Sequence, residues 1–542
     1  MDLRSRSRTG DESAVMQAGE SRASAGAGNL VPIGPDSKPM TTAGMGVALG
    51  LAALTFAVCY LRGFVFPHTP FLFWGDQPGF ATKGARILAG EIPYRDFFEF
   101  LTPGTDLVYA ALFRIFGILP WLPNLVMDFL AAYAAWLMTF CAARVVRGPL
   151  VTLPAILLMG FVLFGSLDAT HHWFSTVLIM TAAAVLMQGS SQFRIALAAV
   201  SIGMATSFTQ TKGIATAVGL VIFLVWQSIH EGQSRAQRWR KVWLFLGVST
   251  IAFAALNLPF VLAAGPVQWI KQVFVFPVFY FGSVSANNLH GTLSQFRESP
   301  NLLKWLCFPF LYIGLPLVYA RFFVRMRRRL KTDPDEPWDR LLLIAIIGVA
   351  MLAVMIPALS IRRVSCVSPP AMILLAWQLS HLRNLRRAIP VALGAVSCLI
   401  AVSEIYAVQF HPKARISLPS GSYVVADAKN YELYRWTADH TQPGQWLFGF
   451  TVLDLPLQVR NPTPLEALGP GEYTRPEQVS VVIAALDRVK TPLLILPGLI
   501  VRPESPGRKT DNLEPFRDFL RRQYHCVKIF YGGFEAWQRN AP

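Results

Sequence analysis

Long apolar runs broken by short polar turns dominate the chain from about residue 44 to residue 408. A run of roughly 20 apolar residues is enough to cross the hydrocarbon core of a bilayer as a helix. The first run spans 44–65 and the second 122–143, with Arg144 and Arg147 directly behind it. Further runs lie at about 149–166, 173–189 and 195–210, and a sixth follows the turn Thr209–Gly213 and ends near Ser228. The rest fall at about 242–264, 303–320, 341–359, 367–380 and 389–408. This pattern predicts an α-helical polytopic membrane domain over 43–408 with about eleven transmembrane helices.

The flanks read differently. Residues 1–42 are rich in Ser, Gly, Ala and Arg with no apolar period, which predicts a disordered tail. Asp11 and Glu12 make it a poor signal-peptide leader, so the first run is expected to stay as an anchor. After residue 408 the chain turns polar. Val479–Val489 and Phe516–Gln523 have helical patterns, and Leu493–Leu496 is a short apolar strand. Cys526–Phe530 and Phe534–Trp537 flank Gly532-Gly533 as a hairpin, so 409–542 is expected to be a small α/β domain.

Charge sets the expected orientation. With the tail inside, the Arg-rich loops at 144–147, 194, 231–241, 321–340 and 381–387 all fall on the cytoplasmic side. An odd number of crossings then puts the C-terminal domain outside. The polar stretch 66–121 becomes a large first outer loop, with Asp106–Phe116 as a helix too short to cross. Composition agrees: 53% of residues are hydrophobic and only 15% charged, against about 25% charged in soluble domains. The formal net charge of +17 sits in clusters between apolar runs, which is membrane orientation and not a nucleic-acid surface. The six cysteines form no C-x-x-C pair and indicate neither a zinc site nor a disulfide framework.

Ionisable groups at membrane depth or on its outer rim are costly, so each is a functional candidate. The first outer loop is richest. It carries Asp76, then Gly90-Glu91-Ile92-Pro93-Tyr94-Arg95-Asp96-Phe97, then Glu99 and Thr102-Pro103-Gly104, with Tyr109 and Phe116-Gly117 beyond. Its carboxylates suit a base, an orienting group or a metal ligand; an ordinary loop held by local salt bridges is the plain alternative. This loop resembles the first extracytoplasmic loop of the GT-C superfamily of polyprenyl-phosphate-sugar glycosyltransferases. That group includes the protein O-mannosyltransferases and the bacterial aminoarabinose transferases. Arg460-Asn461-Pro462-Thr463 and Gly533-Phe534-Glu535-Ala536-Trp537 resemble the tails of bacterial members. Two features depart from the pattern: Thr102-Pro103-Gly104 stands where Pro-Pro-Leu is usual, and no clear Asp-x-Asp occurs on the outer side, since Asp333-Pro334-Asp335, which has that spacing, lies in a loop expected to be cytoplasmic.

The resemblance implies an enzyme of the bacterial inner membrane, with its N-terminus in the cytoplasm and its C-terminal domain in the periplasm. It would move a sugar from a polyprenyl-phosphate carrier to a glycan, lipid or protein acceptor, inverting the anomeric centre. It makes Asp76 the general base, with Asp96 or Glu99 holding the acceptor or a cation. No cofactor is called for with certainty, and a divalent metal stays open. Tyr94 and Arg95 belong to the same motif as substrate-binding candidates. The departing phosphate needs cations. Arg362-Arg363 stands at the outer end of the ninth run against the positive-inside trend, with a snorkelling pair as the alternative. Lys212 is a second candidate, its alternative being a helix C-terminal charge beside a Gly cap. Asp168, His171 and His172 in the second outer loop suit metal, phosphate or acceptor, although a cap and interfacial histidines explain them as well. Trp269, Phe274, Phe276, Phe279, Tyr280 and Phe281 read as an interfacial aromatic belt. Two rival readings are a transporter or flippase of lipid-linked sugars, and a non-catalytic envelope assembly protein.

Overall fold

A computed structural model of the chain describes residues 42–73, 75–163, 168–284, 307–355, 359–382, 388–411, 413–425, 427–502 and 511–541. The tail expected at 1–42 lies outside these residues up to 41. So do the end of the third expected span, the aromatic stretch beyond 284, and Arg383, Arg386 and Arg387.

Each expected span falls on a helix. These are α1 (Thr42–Gly63), α4 (Leu122–Ala142), α5 (Pro149–Val162), α6 (His171–Leu186), α7 (Gln192–Thr206) and α8 (Gln210–His230). They continue as α9 (Arg235–Ala264), α10 (Cys307–Arg329), α11 (Trp338–Ala353), α13 (Pro369–Ser380) and α14 (Ala388–Phe410). Among the described residues six helices (α1, α4, α8, α9, α10 and α14) are long and apolar enough to cross a bilayer. The chain is a multi-pass membrane protein.

Polar residues mark the ends of these helices. Ser191 caps α7, accepting from the Arg194 N–H, and Ser234 with Gln237 forms a capping box at α9. The shared core is apolar throughout, drawing Met138 from α4, Leu157 from α5, Ile179 from α6, Phe223 from α8 and Trp338 and Trp377 from α11 and α13. In contrast, α1, α9 and α14 leave most of their apolar side chains outward, including Leu54, Ile251, Leu262 and Leu399. That suits helices whose solvent is lipid.

Two further helices build the first outer loop. The expected short one is α3 (Gly104–Phe116). The other, α2 (Asp76–Leu88), falls where the sequence predicts only a polar loop. Its residues Gln77, Phe80, Ala81 and Lys83 are buried. It packs on α3 so closely that a Cβ on Gly84 would come within 2.5 Å of the Tyr109 side chain.

Two short hairpins come first along the chain, β1 (Phe64–Val65) with β2 (Thr69–Pro70) and β3 (Ala414–Leu418) with β4 (Gly421–Val425). The C-terminal region has the expected strands. A four-stranded sheet runs in the order β5 (Leu447–Gly449), β6 (Leu493–Pro497), β8 (Phe534–Arg539), β7 (Tyr524–Ile529). Its β5–β6 pair is parallel and the other two are antiparallel. Strand β6 is apolar along its length because both faces are covered. Leu493 and Ile495 face one core with Tyr434 and Leu453, while Leu494 and Leu496 face another with Val482 and Phe516.

Backbone hydrogen bonds seat the C-terminal region on the first outer loop. Leu72 N–H donates to the Val424 carbonyl at 2.9 Å, and Phe98 N–H donates to the Pro464 carbonyl at 2.8 Å. The side chains of Leu72 and Phe98 enter the two sheet cores. The loop is therefore held between the membrane helices and the C-terminal sheet.

Candidate active site beneath the C-terminal sheet

Where these three parts meet, they enclose a cavity of about 610 Å³. Asp76, Lys83, Glu99, His171, His172 and Arg363 line it from the membrane side, and Thr451, Glu466 and Tyr473 from the C-terminal side.

Asp76 is the first residue of α2, and its side chain is exposed, facing the cavity. The helix start is fixed by its second residue. Gln77, buried, donates to Asn124 Oδ1 at 3.0 Å and accepts from the Ala169 N–H at 2.7 Å. Asn124 donates onward to the carbonyls of Gly63 and Phe71. One buried network therefore ties the end of α1, the start of α4, the second outer loop and the base candidate together.

Gly75, just before Asp76, has φ 125°, a backbone region that glycine alone adopts readily. A Cβ there would also lie 2.7 Å from Arg362 Nη1. Arg362 and Arg363 begin the short helix α12 (Ile361–Cys366), which Ser360 caps by accepting from the Arg363 N–H. Arg363 lies over the Phe281 ring at 5.0 Å and within electrostatic reach of Asp76. Arg362 acts likewise on Asp168. Burial pushes the Asp168 carboxyl up to about 6, Arg362 opposing the rise and Asp76 adding to it.

Lys83 lies two turns along α2, on the face that carries Asp76. It pairs with Glu99, whose side chain is fully buried, and stands 3.7 Å from Glu466. Burial alone would push this ammonium down; Glu466, Glu99 and Asp106 together overcome that and hold it above its ordinary range. Glu99 is fully used, accepting from Lys83 and from the Leu101 N–H at 2.8 Å. Its own N–H donates to Gln272, which anchors the loop to the helical turn Lys271–Val275.

No protein-family model matches the sequence, and no curated protein sequence does. Solved structures do match. ArnT from Cupriavidus metallidurans bound to undecaprenyl phosphate superposes with a TM-score of 0.55 at 13% identity, over 92% of this chain and 99% of that one. The apo state of the same protein gives 0.55 at 14%, over 92% and 98%. The chain has the GT-C fold.

Within the GT-C fold the candidates read from sequence separate into groups. Asp76, Glu99, His171, His172 and Arg363 line one cavity. Asp168 and Arg362 stand beside it through their interactions with Asp76 and Gly75. Lys212 lies behind the wall. It falls in the first turn of α8, not at a helix C-terminus, and its fully buried ammonium donates to the His172 carbonyl at 2.9 Å and Thr176 Oγ1 at 3.2 Å. Arg95 and Asp96 are not among the lining residues; they form an ion pair at 2.8 Å, with Asp96 also accepting from the Ile92 N–H. Tyr94 is buried with φ 67°, its hydroxyl donating to the Leu101 carbonyl, so it shapes the loop. Among the described residues no three His, Cys, Asp or Glu side chains group as a metal-ligand set.

Sequence reasoning passed over Lys83 and Glu466. The signal for Lys83 was its place seven residues after Asp76, two helical turns along the same face of α2. Glu466 gave no local signal.

Proposed function

We propose that this chain is a glycosyltransferase of the bacterial inner membrane that takes a sugar from a polyprenyl-phosphate carrier on the outer face. The observation that carries the reading is the carboxylate of Asp76, open to a cavity of about 610 Å³ beside Arg363. Support comes from the GT-C fold, shared with an ArnT whose structure holds undecaprenyl phosphate. In this reading the N-terminus lies in the cytoplasm and the C-terminal sheet in the periplasm, as the Arg-rich loops predict.

The chemistry follows from which partner is poor. Phosphate is already a good leaving group, whereas an acceptor hydroxyl is a weak nucleophile. Asp76 takes the acceptor proton as the acceptor oxygen bonds to the anomeric carbon. The bond from that carbon to the phosphate oxygen breaks, and the electron pair leaves with the polyprenyl phosphate. Attack opposite the leaving group inverts the centre. Arg363 and Arg362 stabilise the phosphate charge as it develops.

The test is Asp76→Asn in membranes supplied with donor lipid. Loss of a positioned base lowers transfer by about 10²–10⁴-fold. Full activity in that variant overturns the mechanism.

A further inference from the structure

The cavity is divided by charge. At one end is Arg363, with Arg362 next to it outside the lining and Lys212 behind the wall. At the other, Lys83 faces Glu99, Glu466 and Asp106, with Arg86 also acting on Glu466. Asp76 lies between, acting electrostatically on both Arg363 and Glu466. A phosphate is drawn to the first end; at the second the ammonium of Lys83 is already paired with Glu99.

At the second end Glu466 differs from its neighbours. Glu99 has both oxygens occupied. Glu466 Oε1 is buried yet accepts no hydrogen bond from the described residues, and Lys83 Nζ stands off at 3.7 Å. A buried acceptor left without a donor is costly.

The loop carrying Glu466 is nonetheless rigidly built. Asn461 Nδ2 and Thr463 Oγ1 both donate to the Leu465 carbonyl at 2.7 Å, and Gly469 N–H donates to Thr474 Oγ1 at 2.8 Å. Pro464 accepts from Phe98 of the first outer loop. Phe98 itself and Tyr473, which lies within electrostatic reach of Glu466, bring aromatic rings to this side of the cavity. A carboxylate lacking donors next to aromatic faces matches a ring with hydroxyl edges and an apolar C–H face.

We propose that Glu466 is the acceptor-binding carboxylate and that the acceptor presents a neutral saccharide, whose hydroxyls donate to Glu466. This rests on the transferase reading above for the word acceptor, though the binding site itself does not. The N-P-T-P segment then serves to fix Glu466 in the C-terminal wall of the cavity, which Thr451 and Tyr473 also form.

The test uses the full chain in lipid nanodiscs. Methyl glycosides of glucose, galactose and mannose are titrated by saturation-transfer NMR, with methyl glucuronide as the anionic counterpart. Undecaprenyl phosphate binding is measured separately. The neutral glycosides are expected to bind the wild type, with Kd raised at least tenfold in Glu466→Ala and less in the near-isosteric Glu466→Gln. Undecaprenyl phosphate affinity is expected to stay within twofold in both variants. Neutral glycosides that bind both variants as tightly as the wild type, or fail to bind the wild type, overturn the proposal, as does tighter binding of the glucuronide. Undecaprenyl phosphate that binds no form of the protein overturns the carrier reading instead.

Discussion

Replacing Lys83 by Met removes the cation from a cluster in which Glu99 and Asp106 stay buried. Lys83 and Glu99 have 7% and 0% side-chain exposure. At about 3 Å and an effective dielectric of about 20, their attraction is worth about 5 kcal/mol. Desolvation of the two ions costs several kcal/mol each, so the intact pair adds little net stability. Breaking it is another matter: an uncompensated buried charge costs about 3–5 kcal/mol. The structure also predicts an asymmetry. After Lys83→Met, Glu99 and Asp106 lose their cation and Glu466 is left with Arg86. After Glu99→Gln, Lys83 keeps Glu466 at 3.7 Å and the amide oxygen still accepts from the Leu101 N–H. That change should cost only about 1–2 kcal/mol. The double variant should be more stable than the sum of the two by about 1–3 kcal/mol. Thermal unfolding of the purified protein in detergent reads this as a drop of roughly 5 °C for Lys83→Met, with size scaling extended to this chain. A Lys83→Met shift no larger than that of Glu99→Gln, or strict additivity, refutes the reasoning.

Other outcomes follow from the same geometry. Gly75→Ala meets both φ 125° and Arg362 Nη1 at 2.7 Å; backbone strain of about 1–3 kcal/mol should lower the melting temperature and weaken undecaprenyl phosphate binding severalfold in a titration. The Asp168 carboxyl, raised to about 6, ionises as pH rises through that value and then competes for Arg362. Affinity for a sugar phosphodiester of the carrier, which does not itself titrate there, should therefore fall as pH rises from 5 to 7. Asp168→Asn should flatten that profile, and an unchanged profile would count against the assignment.

The membrane domain was legible because apolar runs of helix length have few other folds available. Sheet strand Leu493–Leu496 and the hairpin around Gly532-Gly533 were legible for local reasons, an apolar run and a turn. Helix α2 was not, since Pro78, Gly79 and Gly84 read as loop residues. Gly84 is there for close packing on Tyr109, a tertiary demand invisible in the local pattern. The motif residues Tyr94, Arg95 and Asp96 looked like chemistry because charge and aromatic character cluster there. Two of them neutralise each other beside the site, and the third braces the loop. Lys83 was hidden by the missed helix. Glu466 was hidden by distance along the chain, since only folding brings the C-terminal sheet over the first outer loop.

The most direct test is a structure of the full chain in lipid with undecaprenyl phosphate bound. The account predicts the phosphate inside the cavity, between Asp76 and the Arg362–Arg363 pair, with its chain leaving toward the bilayer. A head group bound at the Lys83–Glu466 end, or at a site apart from Asp76, would contradict it.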